Sequence, residues 1–152
     1  MIGTTFYSLS GRTILSNNYG GRKKMSHFTT IKTKLTDMDE IKKSLKDLNY
    51  NFVEGEVLAR GYGGRKTQAE LKITTSRGYD IGLRKSATGE IEIVADWYGI
   101  KINRNEFLQK LTQRYSYHKI IAEVKKKGYS ITNETLTENN EIKLTVVRRQ
   151  WV

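Results

Sequence analysis

Few side chains in this sequence of 152 residues could carry out covalent or metal chemistry. The absence of cysteine excludes thiol nucleophiles, disulfides and thiolate metal sites. His27 and His118 are the only histidines, and a metal site would need both of them together with carboxylates. The sequence therefore assigns no catalytic residue, no metal and no cofactor, which leaves carboxylates, glycines and basic residues as candidates for a functional site.

Two aspartates next to aromatic residues form the first candidate. Asp96-Trp97-Tyr98 ends the clearest strand pattern, and we expect Asp80 on the neighbouring strand. Paired carboxylates could carry out acid–base chemistry or hold a metal. The alternative, which we favour, is structural: the two aromatic residues pack where helices meet the sheet, and Asp96 caps a turn. A pocket lined by Asp80, Asp96, Trp97 and Tyr98 is therefore a hypothesis for the structure to examine.

A glycine-rich loop is the second candidate, and its sequence is Gly61-Tyr62-Gly63-Gly64-Arg65-Lys66. Successive glycines allow backbone N–H groups to converge on an anion, and Arg65 and Lys66 add positive charge. The spacing matches neither a P-loop nor a dinucleotide fingerprint. An ordinary connecting loop is the alternative. The hypothetical anion or RNA contacts are Gly61, Gly63, Gly64, Arg65 and Lys66.

Positive charge is the third feature, because 27 Lys and Arg against 16 Asp and Glu give a formal net charge of +11. Such a balance favours anionic partners. The run Lys125, Lys126 and Lys127 lies among tyrosines, a combination that suits single-stranded RNA, where bases stack and phosphates pair. A solvated helix face, or a genome that favours lysine codons, explains the same residues without RNA.

The elements that must position these residues are read from apolar spacing. Alternating residues predict strands, residues at helical spacing predict helices, and Asp37 and Gly128 are typical helix-capping residues. The expected strands are Phe28–Leu35, Phe52–Ala59, Ala69–Thr75, Tyr79–Arg84, Glu90–Asp96, Tyr129–Thr137 and Glu141–Arg149. The expected helices are Asp37–Leu48, one from Asn103 and a further one from Ser116. This order predicts the α+β class: a single antiparallel β-sheet with about three helices packed mainly on one face.

Residues 1–24 differ in composition from the rest, with four basic residues and no acidic one. Such a segment favours a disordered leader or a mis-assigned translation start. Residues 25–152 are expected to form a single α+β domain. No apolar run reaches the ~18 residues of a membrane span, which favours a soluble protein.

Several short motifs occur in a fixed order after Met25. They are Met25–Leu35 (MSHFTTIKTKL), Arg60-Gly61-Tyr62, Tyr79-Asp80-Ile81-Gly82, Ala95-Asp96-Trp97-Tyr98-Gly99-Ile100, Gln113-Arg114-Tyr115 and Gly128-Tyr129. In this order and spacing the chain resembles the hypothetical chloroplast reading-frame family number thirty-five. The resemblance implies an uncharacterised conserved plastid protein of the chloroplast stroma, or a cytoplasmic one in a cyanobacterium. It implies no reaction.

The function that these observations favour is that of a non-enzymatic accessory or interaction protein with another protein as its partner. The alternative is a basic RNA-binding module that uses Arg65, Lys66 and the three consecutive lysines. An enzyme that uses Asp80 and Asp96 is the third hypothesis. The sequence does not identify a ligand, an oligomeric state or a physiological process.

Overall fold

The computed structural model describes residues 28–75 and 77–148, and in addition the backbone of the strands at residues 4–9 and 16–17. The strands are β1 (Thr4–Leu9), β2 (Ser16–Asn17), β3 (Thr29–Lys32), β4 (Phe52–Arg60), β5 (Lys66–Thr74), β6 (Asp80–Lys85), β7 (Ile91–Ala95), β8 (Tyr129–Leu136) and β9 (Ile142–Arg148). The helices are α1 (Met38–Asp47) and α2 (Arg104–Lys126), and short 3₁₀ turns follow β4 and β7. The protein is therefore α+β.

Six strands form an antiparallel sheet in the order β2-β3-β7-β6-β5-β4. Its inner face carries a row of aliphatic residues that pair across four strands: Ile31, Ile93, Leu83 and Leu71. These side chains are buried together with residues of both helices, such as Leu45. The structure thus confirms the prediction, made from apolar alternation, of which residues of these strands face the core.

The start of α1 follows directly from its sequence. The Asp37 carboxylate accepts hydrogen bonds from the backbone N–H groups of Asp39 and Glu40, so that donors left over at the helix start are satisfied. Ile41 and Leu45, one turn apart, are fully buried. The helix therefore lies with one apolar stripe on the sheet, as the spacing predicts.

The prediction of a third helix is wrong, because α2 continues through Ser116 without a break. No glycine or proline interrupts this stretch. The helix propensity lost at a single serine is too small to end a helix whose two halves each pack in a hydrophobic core. At 1.5 Å per residue its 23 residues span about 34 Å. Phe107 and Leu111 in the first half join the core of the large sheet, and Val124 in the last turns joins a second core.

The prediction of one sheet is also wrong, because β1, β9 and β8 form a separate antiparallel sheet of three strands. Its buried residues Ile142, Leu144 and Val146 pack with Val124 of α2. The sequence pattern predicts β8 and β9 as strands, but such a pattern gives no information on which sheet a strand joins. The length of α2 provides the second apolar surface that this sheet covers.

The predicted leader, residues 1–24, lies mostly outside the described residues. Within that segment the backbone of β1 pairs with β9, and β2 pairs with β3. The interpretation of residues 1–24 as a leader, and of residues 25–152 as one domain, stays a prediction.

Candidate functional site

The far half of the β4–β5 hairpin folds over the outer face of the large sheet. β5 pairs with β6 only between Leu71 and Thr74, and β4 contains a register shift between Glu54 and Val57. Beyond these points the hairpin leaves the plane of the sheet. A register shift of this kind adds a bend to a strand.

The close contact of three small residues shows where the folded hairpin lies. A Cβ atom on Gly82 would be 3.0 Å from the Cβ of Ala69 and 3.1 Å from that of Ala59. Gly82 lies between Ile81 and Leu83, which face the helices, so it faces the opposite side. The hairpin therefore covers the face of the sheet that the helices leave open, and Gly82 makes room for it.

Asp80 and Asp96 lie beneath the end of this hairpin. Ile81 pairs with Ala95, so continuing the register by one position brings Asp80 opposite Asp96. The two residues are 0% and 2% exposed. The structure thus brings the two predicted carboxylates together on adjacent strands but encloses both.

Arg60 of the hairpin neutralises Asp80. Its guanidinium donates from Nε to Oδ2 at 2.9 Å and from Nη2 to Oδ1 at 3.1 Å, and its backbone N–H donates to Oδ2 at 2.8 Å. The Lys72 ammonium is 3.8 Å from the same Oδ2. Burial by itself would raise the pKa of Asp80, but the hydrogen bonds and charges of Arg60, with the charge of Lys72, outweigh it and lower the pKa below its usual value. Asp80 is therefore a stable anion and its role is to hold the hairpin.

Asp96 holds the glycine-rich loop in a similar way. Its Oδ2 accepts a hydrogen bond from the backbone N–H of Tyr62 at 3.1 Å. Its Oδ1 is buried and has no hydrogen-bond partner in the described part of the protein. The Asp96 side chain thus fixes a neighbouring loop, whereas its backbone carbonyl accepts from Gly99 and closes the turn that follows β7.

Three amides of the glycine-rich loop, those of Gly61, Tyr62 and Arg65, donate within the protein. Gly61 donates to the Arg65 carbonyl at 2.8 Å, and Arg65 donates to the Tyr62 carbonyl at 3.2 Å. A Cβ atom on Gly61 would lie 2.8 Å from Cζ of the Phe28 ring, so Gly61 permits close packing. Gly63, Gly64, Arg65 and Lys66 are exposed in the turn. We call Gly61–Lys66 the anchored loop, since hydrogen bonds and packing fix its base.

The aromatic pair after Asp96 divides between the interior and the surface. The Trp97 ring packs against Phe107 of α2 with 6.0 Å between centroids. Tyr98, in contrast, is 80% exposed, and Tyr62 on the anchored loop is 57% exposed. Trp97 thus joins the helix–sheet junction, as the structural interpretation expects. The expectation that Tyr98 packs there as well is wrong, because its side chain projects from the surface.

The structure joins two of the predicted sites and separates the third. The anchored loop and Asp96-Trp97-Tyr98 are connected through the Tyr62 backbone, whereas Lys125–Lys127 are exposed at the C-terminal end of α2, beside the second core. A separate groove of about 470 Å³ lies on the hairpin, between β4, β5 and the end of β6. Its lining residues are Glu56, Val57, Leu58, Gln68, Ala69, Glu70, Arg84 and Lys85, so it does not include the predicted pocket residues.

Sequence reasoning missed Arg60 as the partner of Asp80. A signal was present, because Arg60-Gly61-Tyr62, Tyr79–Gly82 and Ala95–Ile100 are three of the motifs on which the family resemblance depends. All three meet at the anchored loop. The motifs are thus parts of one arrangement that the linear sequence does not reveal.

Within residues 28–75 and 77–148, no group of three or more His, Asp or Glu side chains is placed to hold a metal ion. Of the helices in that part of the chain, none has the length and apolar character needed to cross a bilayer.

Comparison with known proteins gives a family. A family profile described as "Protein of unknown function (DUF1257)" matches residues 44–145. The protein "Uncharacterized protein ycf35" of Guillardia theta is 39% identical over 126 residues, which cover 82% of this chain and 98% of that protein. Proteins with the same name are 29% identical in Cyanophora paradoxa, over 84% of this chain and all of the relative, and 26% identical in Pyropia yezoensis, over 82% and 98%. No solved structure matches.

The matches agree with the motifs found in the sequence. The relatives are ycf35 proteins of algal plastid genomes, which indicates a plastid origin for this chain. The family profile covers well over half of the chain, and the resemblance inferred from the motifs is confirmed. The chain therefore belongs to the conserved family of unknown function DUF1257, among the ycf35 proteins of plastids.

Proposed function

We propose that the protein is a non-enzymatic accessory protein of the chloroplast stroma that acts by binding another protein. The observation that supports this most directly is that buried carboxylates fix the anchored loop while nearby tyrosines are exposed. Asp80 and Asp96 are buried and hold the loop, whereas Tyr62 and Tyr98 project into solvent. An exposed aromatic surface on a fixed base is a common feature of protein interfaces.

The same geometry argues against the enzyme hypothesis. A general acid or base has to come within hydrogen-bond distance of its substrate. Asp80 is enclosed and already accepts three hydrogen bonds from Arg60. The lowered pKa of Asp80 also makes it a poor base at neutral pH. A protein that acts by binding a partner does not need these carboxylates to be accessible to a substrate.

Affinity purification of the tagged full chain from plastid-containing algal cells, under gentle conditions, tests the proposal. We expect a stable protein partner that co-elutes with the wild-type chain. Asp96→Ala removes the acceptor of the Tyr62 amide and should reduce recovery of that partner, whereas Lys126→Ala should not. Recovery of no stable partner with the wild-type chain would count against the proposed function.

An RNA-binding module is the second candidate, and the exposed lysine run supports it. Within residues 28–75 and 77–148 no ion pair involves Lys125, Lys126 or Lys127. Arg148, which pairs with Tyr129 in the adjoining sheet, adds a further exposed cation near the run. Gel shifts with single-stranded RNA should then show affinity that falls with salt, with a log–log slope of about −0.7 per phosphate contact. Unchanged affinity after neutralisation of the three lysines would exclude this use of the run.

A further inference from the structure

We infer that Tyr62, Arg65, Lys66 and Tyr98 form a docking surface for an acidic segment of a partner protein. This inference depends on the proposed function and deepens it, because it names the surface and the chemistry of the partner. We call these four residues the tyrosine patch. It is distinct from the groove beside β5 and β6 and from the lysine run on α2.

Exposure of aromatic residues is the first argument. Five large apolar or aromatic residues are strongly exposed in the described part of the chain: Val53, Leu58, Tyr62, Tyr98 and Leu136. The two tyrosines belong to segments that one hydrogen bond joins, from the Tyr62 N–H to the Asp96 carboxylate two residues before Tyr98. Tyrosine loses little conformational entropy when it is buried in an interface and is enriched among residues that dominate binding energy.

Rigidity of the base is the second argument. The Arg60–Asp80 pair, the Tyr62–Asp96 hydrogen bond and the Phe28 ring against Gly61 all restrain the segment that carries Tyr62. A loop that is fixed before binding pays less ordering entropy when the complex forms. The buried carboxylates beneath the patch therefore hold the Tyr62 segment in a fixed position before a partner binds.

Charge defines the partner. Segments 61–69 and 97–105, which carry the two tyrosines, contain Arg65, Lys66, Lys101 and Arg104 and no Asp or Glu. Asp80 and Asp96, which bond to Arg60 and to the Tyr62 amide, are buried. The next acidic residues along the chain, Glu70 and Glu106, already bond to the Lys85 amide and to the Lys110 ammonium. A surface of tyrosines with cations and no exposed acid in these segments is complementary to a chain that carries Asp or Glu beside apolar residues.

Two observations favour a protein segment over RNA at this patch. The amides of Gly61, Tyr62 and Arg65 donate inside the protein, so these three N–H groups are not available to a phosphate. The run Lys125–Lys127, the longest run of consecutive basic residues in the described part of the chain, lies at the C-terminal end of α2, a helix of about 34 Å. A short acidic segment needs only the patch itself.

Selection of random peptides displayed on phage against the full chain tests the inference. We expect the selected peptides to be rich in Asp and Glu, and synthetic copies to bind the Tyr62→Ser/Tyr98→Ser variant at least about tenfold more weakly than the wild type. Lys66→Glu should weaken binding to a similar extent, whereas the matched charge reversal Lys126→Glu should change it by less than about twofold. The substituted side chains are exposed, and melting curves of all variants show whether the fold is retained.

The outcomes separate this inference from the proposed function. Selected peptides without acidic residues, or equal binding to the patch variants, would overturn the tyrosine patch. Binding of an oligouridylate that is lost in Tyr98→Ser would also overturn it, in favour of RNA. If affinity purification recovers one protein equally with wild type and with the patch variants, the patch is wrong although the proposed function stands. If no protein is recovered, the proposed function itself is wrong.

Discussion

Positive charge is used differently at the anchored loop and at the end of α2. At the loop, Arg60 and Lys72 surround the buried Asp80, and the pairing fixes the hairpin in place. At the end of α2, Lys125–Lys127 are exposed and have no ion pair within the described ranges. Earlier cations of the same helix do pair, as Arg114 does with Asp47. The difference teaches that net charge alone does not locate a functional surface, because the position of a cation decides whether it holds structure or faces a partner.

The largest expected effect is that of Asp80→Ala. The variant loses three hydrogen bonds from Arg60 under the hairpin, and we expect the free energy of unfolding to fall by about 2 to 3 kcal/mol. Urea denaturation measures this change. Lys126→Ala at the other region should alter stability by no more than about 0.5 kcal/mol. Equal effects of the two substitutions would remove the contrast between the regions.

Gly82→Ala tests whether the hairpin lies on the outer face of the sheet. Its new Cβ would press against the Cβ atoms of Ala59 and Ala69 at 3.0 to 3.1 Å, and overpacking of this kind should cost about 1 to 2 kcal/mol. Gly128→Ala, at the end of α2, meets open space but has φ of +80°, so strain of about 1 kcal/mol is expected there. Replacing Gly128 with Asn should recover part of the loss, whereas Gly82→Asn should be worse than Gly82→Ala.

A smaller effect is expected for Asp47→Asn, between the two regions. Asp47 joins α1 to α2 through Arg114 at 2.9 Å and His118 at 2.5 Å, and its side chain is 32% exposed. Solvent screens such a pair, so we expect a loss of about 0.5 to 1 kcal/mol. The loss should shrink at high salt, in contrast to that of Asp80→Ala. Thermal melts of the two variants at low and high ionic strength measure this difference in salt dependence.

The smallest expected effect is the change with pH in the stability that Asp80 contributes. Because its pKa is lowered in the folded state, its contribution to stability is complete above the unfolded pKa of about 3.9 and is lost as the pH falls through the folded value. The difference in unfolding free energy between wild type and Asp80→Asn should therefore be constant near neutral pH and decrease below about pH 4. Urea titrations on either side of that pH measure it. A difference that grows on acidification would contradict the ion pair.

Local elements could be predicted from the sequence because short-range rules fix them. The Asp37 cap and Gly128, whose φ is positive at the end of α2, follow from residue type and spacing. The same holds for the buried alternation of Ile81 and Leu83. These features depend on neighbours within one or two turns or within one strand.

Features that depend on distant partners could not be predicted in this way. The break expected at Ser116 is absent because packing on two cores outweighs a weak local preference. The placement of β8 and β9 in a second sheet depends on the length of α2. Residue type and spacing identify Asp80, Asp96 and Tyr98 as candidates. The pairing of Asp80 with Arg60, in contrast, depends on a hairpin that folds back, and no local pattern encodes it.

The amide proton of Tyr62 tests the central claim most directly, because its hydrogen bond to Asp96 joins the loop to the sheet. Hydrogen exchange followed by NMR should show this amide protected in the wild type, and Asp96→Ala should accelerate its exchange at least about tenfold while the buried strand amide of Ile93 remains slow. Rapid exchange at Tyr62 in the wild type, or the same rate in both proteins, would contradict an anchored loop.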